Sequence, residues 1–259
     1  MSLFDVLARG YFPKELPKPF VTEPFARAVT GSTALPADWG KSADMQPRIP
    51  FGKLERYSLA RRGLLRRPLS ICNPLHHFLV CQELHTIWTT VMAKASGTPL
   101  AATSPELKVV GRAIDGKHPQ ADRSQMSQQS RLGKRFMLRT DISRFYHSIY
   151  THSIPWALHT KPVAKANHKL TLLGNRLDFW IRAGQDQQTI GIPIGPDTSL
   201  LIAELIMQRC DEELCAKIPG LQELQRGQGR IKCLTLPLLL SALGNLFYTT
   251  TRCQKRLEN

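Results

Sequence analysis

The stretch F-M-L-R-T-D-I-S-R-F-Y-H-S-I-Y, residues 136–150, sets the expectation for the fold. A short apolar run leads to one acid, Asp141, and two aromatic residues, Phe145 and Tyr146, follow it closely. The run predicts a β-strand with the acid near its end, where a buried sheet opens to solvent. A carboxylate there is a natural Mg²⁺ ligand, and a nearby aromatic ring can close over a flat substrate such as a nucleotide. A strand ending in a solvated Asp before a turn fits the same pattern, and this stretch alone leaves both interpretations open.

The composition points to a basic protein with a polyanionic partner. The chain has 259 residues and a formal net charge of +15, which favours nucleic acid first and an anionic membrane second. It is long enough to bury a sizeable core, in one large domain or two lobes. It has no unbroken run of about 20 apolar residues, and its N-terminus has an early acid, unlike a secretory signal. Six scattered cysteines without a C-x-x-C pair favour reduced thiols in a cytoplasmic protein.

The first part of the chain, residues 1–50, is rich in proline and shows little periodicity. It predicts a short N-terminal helix and then an extended arm that wraps on the body of the protein. An arm is preferred to a flexible leader because four aromatic side chains need burial: Tyr11, Phe12, Phe20 and Phe25.

A basic hairpin is expected next. Residues 53–67 carry six basic side chains and one acid, and residues 68–71 predict a strand. Guanidinium groups match phosphate oxygens, so such a hairpin suits the triphosphate of an incoming nucleotide. A solvated basic loop has the same composition.

Helices are expected over much of the remaining chain. Apolar spacing predicts them over residues 75–96, 154–159, 170–183 and 200–214. Three histidines of the first of these helices, His76, His77 and His85, are expected on its polar face or in the core rather than as metal ligands. Asp197 or Ser199 is expected to cap the last helix.

Two loops complete the prediction. The polar stretch 98–133 is expected to be a connector. The glycine-rich loop 191–195 exposes backbone N–H groups that can approach a nucleotide or a template closely. Taken alone, this loop is better described as an ordinary connection into a core helix.

Three separate motifs resemble those of reverse transcriptases, and they occur in the expected order. D-I-S-R-F-Y at residues 141–146 resembles motif A, R-R-P-L-S-I-C-N-P at residues 66–74 resembles the fingers motif, and G-I-P-I-G-P-D-T-S at residues 191–199 resembles motif B. The opening R-G-Y-F-P-K-E-L-P, residues 9–17, is similar to the start of bacterial reverse transcriptases of the abortive-infection and phage-defence type. The resemblance runs to about residue 221, and the three motifs are specific only together.

The resemblance implies an α+β fold with the fingers and a partial palm of a right-hand polymerase, the thumb being missing. Residues 1–50 would be an N-terminal arm, residues 51–133 the fingers and residues 134–221 a partial palm with motifs A and B. Residues 222–259 would be an atypical tail.

The implied activity is that of an RNA-directed DNA polymerase in antiviral defence. Such an enzyme transfers nucleotides from dNTPs to a primer 3′-hydroxyl on an RNA template, with a DNA or protein primer. A cytoplasmic location and no membrane partner are expected.

The resemblance also assigns roles to individual residues. Asp141 would be the catalytic residue and would bind Mg²⁺ together with the backbone carbonyl of Ile142. Arg67 would hold the triphosphate, with Arg62 and Arg66 as neighbours.

The nucleotide itself would lie against aromatic and loop residues. Tyr146, beside Phe145, would stack on the sugar and exclude a 2′-hydroxyl, and the loop with Pro193 and Gly195 would pack near the nucleotide and template. Basic residues that flank the motif A strand would meet the template backbone in contacts that ignore sequence but depend on salt; they are Arg131, Lys134, Arg135 and Arg139.

The chain departs from the family pattern at two places. The usual glutamine of motif B is Ile194, which loses an amide that could bind the substrate. Motif C, an aromatic-x-Asp-Asp hairpin, is missing: the last Asp is Asp211, and no acid lies between Glu223 and Glu258. Two Mg²⁺ ions need carboxylates from two places.

These departures lead to the hypothesis that the reading frame shifts near residues 221–229 and that the chain is truncated. An intact protein with a divergent tail is the alternative. If the chain is truncated, Asp141 and the Ile142 carbonyl would bind one metal weakly, and templated synthesis would be absent or very poor. A second hypothesis is a non-catalytic nucleic-acid-binding protein that uses the same basic groove, and a membrane-surface protein is a distant third.

Overall fold

The computed structural model describes residues 2–17, 19–31, 50–61, 63–97, 101–129, 132, 138–217, 225–227 and 230–233. Only the backbone is described for residues 120, 138–141, 217, 225–227 and 230–233. Helices and short antiparallel strands are mixed along this part of the chain, which confirms the expected α+β class.

The elements follow one another in this order along the described ranges. The helices are α1 (Leu3–Arg9), α2 (Glu23–Gly31), α3 (Pro74–Thr86), α4 (Trp88–Ala95), α5 (Gln120–Gln129), α6 (Phe145–Ser148), α7 (Ser153–His159), α8 (Lys161–Ala166), α9 (Leu173–Ala183) and α10 (Asp197–Lys217). The strands are β1 (Glu55–Ala60), β2 (Arg66–Ile71), β3 (Pro105–Leu107), β4 (Ile114–Gly116), β5 (Leu138–Asp141), β6 (Gln225–Gly227) and β7 (Arg230–Cys233).

Helix α10 lies at the centre of the hydrophobic core. Leu201, Leu205 and Ile206 are at most 1% exposed, and the helix packs against α4, α7 and the β3–β4 hairpin. A helix that is apolar on most of its faces must be covered on most sides. The start of α10 is therefore held firmly inside the molecule.

The described part of the chain contains three small antiparallel sheets. In the β1–β2 hairpin, Glu55 lies opposite Ile71 and Ala60 opposite Arg66. Strands β3 and β4 form a second hairpin. The third sheet has the order β5-β7-β6, so the strand that ends at Asp141 pairs with a segment of the tail.

The N-terminal arm differs from its prediction because it contains a helix, α2. Pro24 lies in the first turn of that helix, where a proline is tolerated. Just before the helix, the Thr22 hydroxyl donates to the Leu7 carbonyl at 2.7 Å and ties α2 to α1. Tyr11 is buried as expected, whereas Phe20 is 55% exposed, so the expected burial was wrong for Phe20.

Other element bounds also differ from the prediction. The helix expected over residues 75–96 is divided at Ile87, where the Thr86 hydroxyl donates to the Glu83 carbonyl at 2.7 Å and competes with the backbone ladder. The stretch expected to be a connector contains β3, β4 and α5. Helix α8 was not predicted. Among the described residues, no helix is both long enough and apolar enough to cross a lipid bilayer.

Candidate functional site

One open pocket brings together residues from three of the sequence motifs. Arg67 comes from the fingers motif, Tyr146 from motif A and Gly195 from motif B. The pocket holds about 580 Å³ of space, counting the part open to solvent. Its full lining is Lys14, Glu15, Arg67, Leu69, Arg112, Ile114, Asp115, Tyr146, Ile194, Gly195, Pro196, Asp197 and Leu200.

Backbone hydrogen bonds explain why the three motifs meet. The Ser70 N–H in β2 donates to the Ile194 carbonyl at 2.8 Å, which joins the basic hairpin to the loop before α10. The Ile192 N–H donates to the Tyr146 carbonyl at 3.0 Å, which joins the same loop to the segment after β5. The loop is thus fixed on two sides by main-chain contacts.

Gly195 allows the N-terminal arm to lie directly on this loop. Its φ angle is +151°, and a Cβ atom there would overlap the Pro13 side chain and lie 2.9 Å from the Ser70 carbonyl oxygen. Pro13 is buried. A side chain at position 195 would therefore push the arm, the hairpin and the loop apart.

A buried ion pair anchors one wall of the pocket. Asp197, at the first turn of α10, is 3% exposed, and its carboxylate accepts from the Arg112 guanidinium and, at 3.0 Å, from the Ile114 N–H. The same guanidinium donates to the carbonyls of Phe12 and Gly195. Arg112 therefore joins the arm, the motif B loop and α10.

The backbone N–H of Asp197 makes a further contact with the arm: it donates to the Gly10 carbonyl at 2.8 Å. The carboxylate was expected to be a possible helix cap, but it serves Arg112 and the β4 backbone instead. Burial raises the pKa of Asp197 from 3.8 to about 6, against the opposing effects of Arg112 and the backbone donors.

A second, more accessible ion pair lies at the mouth of the pocket. Arg67 Nη1 is 2.7 Å from Glu15 Oε1, with side-chain exposures of 37% for Arg67 and 16% for Glu15. The two groups are close but not aligned as a hydrogen bond, since Glu15 Oε1 has no hydrogen-bond partner in the described part of the chain. The hydroxyl of Tyr57 is likewise buried without such a partner.

Tyr57 lies close enough to feel both charges of this ion pair. Its pKa is raised, first by burial and then by the Glu15 carboxylate, while Arg67 acts in the opposite direction. Within the described residues, the Glu15 Oε1 atom and the Tyr57 hydroxyl, both influenced by Arg67, thus lack hydrogen-bond partners. Groups in this condition carry a desolvation cost that a bound polar ligand can remove.

Tyr146 and Phe145 have different surroundings although they are adjacent in sequence. Tyr146 lines the pocket, and burial together with the nearby Glu204 carboxylate raises its pKa above the usual value. Phe145 is 8% exposed and packs in the core, with its ring centroid 5.3 Å from that of Tyr146. Of the two aromatic residues proposed to contact a nucleotide, the structure brings only Tyr146 to the pocket.

Two other residues with predicted roles lie away from the pocket. Arg66 is exposed and donates across the hairpin to the hydroxyl and carbonyl of Ser58, at 2.6 Å and 2.8 Å. Pro193 lines a separate apolar cavity beside Cys72 and His76. Neither arrangement brings the residue to the lining around Arg67 and Tyr146.

Several of the remaining predicted residues lie outside the described residues. They are Arg62, Arg131, Lys134 and Arg135, and only the backbone of Arg139 is described. Their assignment to phosphate and template contacts stays a prediction. His76 and His77 are buried, as a core position requires, and burial lowers the pKa of both imidazoles.

The expected metal ligand Asp141 lies in the sheet formed by β5, β7 and β6. Asp141 lies at the end of β5 opposite Arg230 of β7, and Ile142 follows it, 6% exposed. Neither β6 nor β7 contains an Asp or a Glu. Among the side chains that the structure describes, no group of three or more possible metal ligands occurs.

Asp141 is the one acidic residue of strands β5, β6 and β7, so these three strands do not supply the carboxylates from two places that two Mg²⁺ ions need. In the backbone register of the sheet, Arg230 lies opposite Asp141. Binding of one Mg²⁺ ion by the Asp141 carboxylate and the Ile142 carbonyl stays a prediction.

Five charged residues of the pocket lining were not predicted from the sequence as site residues: Lys14, Glu15, Arg112, Asp115 and Asp197. Arg112 and Asp197 are 85 positions apart, so no local pattern connects them. The sequence feature that could have indicated Asp197 as a buried, paired residue is its position as an acid at the start of an apolar helix, since a buried carboxylate needs a cation or several hydrogen-bond donors.

Comparison with protein-family models gives no match, and comparison with curated protein sequences gives none either.

Proposed function

We propose that the pocket binds a deoxynucleoside triphosphate and that the chain is a protein of the reverse transcriptase type, with fingers formed around the β1–β2 hairpin and a partial palm around β5 and α10. The observation that carries the proposal is the meeting of Arg67, Tyr146 and Gly195 at one pocket. These residues come from three motifs that resemble reverse transcriptases and that are far apart in sequence.

Each of the three residues supplies a contact that a nucleotide needs. The Arg67 guanidinium offers planar donors for phosphate oxygens. The Tyr146 ring offers a flat surface for the sugar, and it is partly buried against the hydrophobic core. Gly195 lets the arm and the hairpin pack closely against the motif B loop, since a Cβ atom there would overlap Pro13, and so shapes the wall that a nucleotide would contact.

The reaction of this type of enzyme is attack of a primer 3′-hydroxyl on the α-phosphate, with pyrophosphate as the leaving group. Mg²⁺, when bound, would supply charge stabilisation for the oxygens that develop negative charge. The chain's own residues would hold the triphosphate through Arg67 and orient the sugar through Tyr146. Because the sheet offers a single carboxylate, we expect templated synthesis by this chain to be absent or very poor.

A second candidate is a non-catalytic nucleic-acid-binding protein. The specific observation in its favour is Arg230 opposite Asp141, on a hairpin that carries basic residues and no acid. A net charge of +15 would support binding to a phosphate backbone without sequence preference.

Calorimetric titration with dGTP tests the nucleotide site. We expect Arg67→Gln to weaken binding about tenfold or more, because it removes a charged donor to phosphate. Arg27→Gln is the matched control, since Arg27 is an exposed arginine of α2 that does not line the pocket. Equal binding by wild type and Arg67→Gln would refute the proposed site.

Primer extension on a primed RNA template separates the two candidates. Weak dGTP binding together with salt-dependent RNA binding that survives Asp141→Ala would favour the non-catalytic protein. Efficient extension by the wild-type chain would refute the expectation that a single carboxylate is insufficient.

A further inference from the structure

The turn that closes the pocket is built from a charged pair in the N-terminal arm. The Leu16 N–H donates to the Pro13 carbonyl at 3.1 Å, so Lys14 and Glu15 are the central residues of a β-turn. Both line the pocket. This turn therefore brings one cation and one anion to the proposed phosphate site.

The backbone that precedes this turn is anchored, so the arm is not free to leave. The Tyr11 hydroxyl donates to the Cys72 carbonyl at 2.5 Å, and the Phe12 carbonyl accepts from Arg112. Pro13 is buried against Gly195. The Glu15 side chain, in contrast, has one charged neighbour, Arg67, and one oxygen without a hydrogen bond in the described structure.

We infer that the Glu15 carboxylate is an internal competitor for phosphate: it occupies the face of Arg67 that a phosphate group takes and must turn away when a polyphosphate binds. The inference rests on the proposed function, because it takes Arg67 as the phosphate ligand. A carboxylate and a phosphate oxygen present the same chemistry to a guanidinium, so the two cannot share one donor face without repulsion.

The unpartnered Tyr57 hydroxyl supports this exchange independently of the ion pair. A buried hydroxyl without a partner is rare in folded proteins, and each one carries a cost. In the β1–β2 hairpin, Tyr57 lies opposite Leu69, two positions along the strand from Arg67 and on the same face of the hairpin, and the charges of Glu15 and Arg67 both affect its pKa. A phosphate in place of the carboxylate brings additional acceptor oxygens, one of which can take the Tyr57 proton donor.

Exchange of the carboxylate for a phosphate has a consequence for affinity and for selectivity. Without a ligand, Glu15 neutralises Arg67 and lowers the attraction of the pocket for small anions. A ligand with several phosphates gains more from Arg67 and Lys14 together than a single phosphate does, and so displaces Glu15 more readily. The arm would thus favour polyphosphates over inorganic phosphate.

Calorimetric titration of the full chain with inorganic tripolyphosphate tests the inference. We expect Glu15→Gln to bind tripolyphosphate about fivefold more tightly than wild type or better, the equivalent of one partly exposed ion pair. Arg67→Gln should bind more weakly than both. Glu23→Gln, an exposed acid of α2 paired with Arg27, is the matched control and should bind as wild type does.

The outcomes separate this inference from the proposed function. Equal binding by wild type and Glu15→Gln, with loss of binding in Arg67→Gln, would refute the internal competitor and leave the phosphate site intact. Binding that does not depend on Arg67 would overturn both. Tighter binding by Glu15→Gln without any primer extension by the chain would support the competitor and count against polymerase activity. Circular dichroism checks that each variant is folded.

Discussion

Replacing Arg112 by alanine removes the side chain that joins three segments of the site. The Asp197 carboxylate would lose its cation and keep the Ile114 N–H as a donor, and the carbonyls of Phe12 and Gly195 would lose their donor. Asp197 is 3% exposed and its pKa is already raised to about 6, so without Arg112 the carboxyl would either stay charged without compensation or take up a proton, and both cost stability at neutral pH. The variant therefore tests whether the arm and the motif B loop are held by this one residue.

The expected loss follows from the burial of the pair. Removing one partner of a buried ion pair typically costs about 3–5 kcal/mol, and two orphaned carbonyls add to that cost. The pocket is open on one side, so water can replace some of the lost donors. We therefore expect Arg112→Ala to lower the free energy of unfolding by about 3 kcal/mol.

Urea unfolding followed by circular dichroism and tryptophan fluorescence measures this loss. Arg27→Ala is the matched control, because its ion pair with Glu23 is exposed, at 72% and 54%, and should be worth below about 1 kcal/mol. The double variant Arg112→Ala, Asp197→Ala should lose about 1–3 kcal/mol less free energy of unfolding than the sum of the losses of the two single variants. A cost below about 1 kcal/mol for Arg112→Ala, similar to the control, would refute the reasoning.

Three further predictions concern the same region. Gly195→Ala should destabilise the protein by about 1–3 kcal/mol and weaken dGTP binding, because the new Cβ overlaps Pro13. Gly31→Ala, whose Cβ would meet no atom within 4 Å, is the control. Equal urea unfolding midpoints for the two variants would contradict the prediction. The raised pKa of Asp197 predicts that the carboxyl contributes stability below about pH 4 and loses it as pH rises through about 6. The free energy of unfolding of wild type relative to Asp197→Asn should therefore fall between pH 5 and pH 7, by up to about 3 kcal/mol over the whole transition, and a rise over that interval would contradict it. Leu205→Ala should lower the free energy of unfolding, measured in urea, by about 2–5 kcal/mol, since Leu205 is 1% exposed in the core. A decrease below about 1 kcal/mol would show that α10 is not central to the core.

Much of the fold was predictable from local patterns. The basic hairpin, helix α7 and the core of α10 agree with the predicted positions within a few residues, because each is specified by spacing and breakers inside one short segment. The break at Ile87 was not predictable in this way. It depends on a threonine hydroxyl that competes with the helix backbone.

The candidate site was predictable only in part. Three motifs supplied Arg67, Tyr146 and Gly195, and the pocket has all three in its lining. Phe145 lies in the core and not in the pocket lining, and a strand or helix pattern does not tell which of two adjacent aromatic residues faces the core. Arg112 was placed in a connector, because its partner lies in another part of the chain.

By itself, the sequence determined where the basic hairpin, helix α7 and the core of α10 form, and that the protein is basic enough to attract anions. Those properties depend on residues a few positions apart, whose spacing the chain itself sets. Only the tertiary structure decided that the N-terminal arm completes the pocket and that Glu15 faces Arg67. It also decided that β5 pairs with a tail strand carrying Arg230 opposite Asp141. These contacts join residues far apart in the chain, and they form only where packing of the whole core brings their segments together.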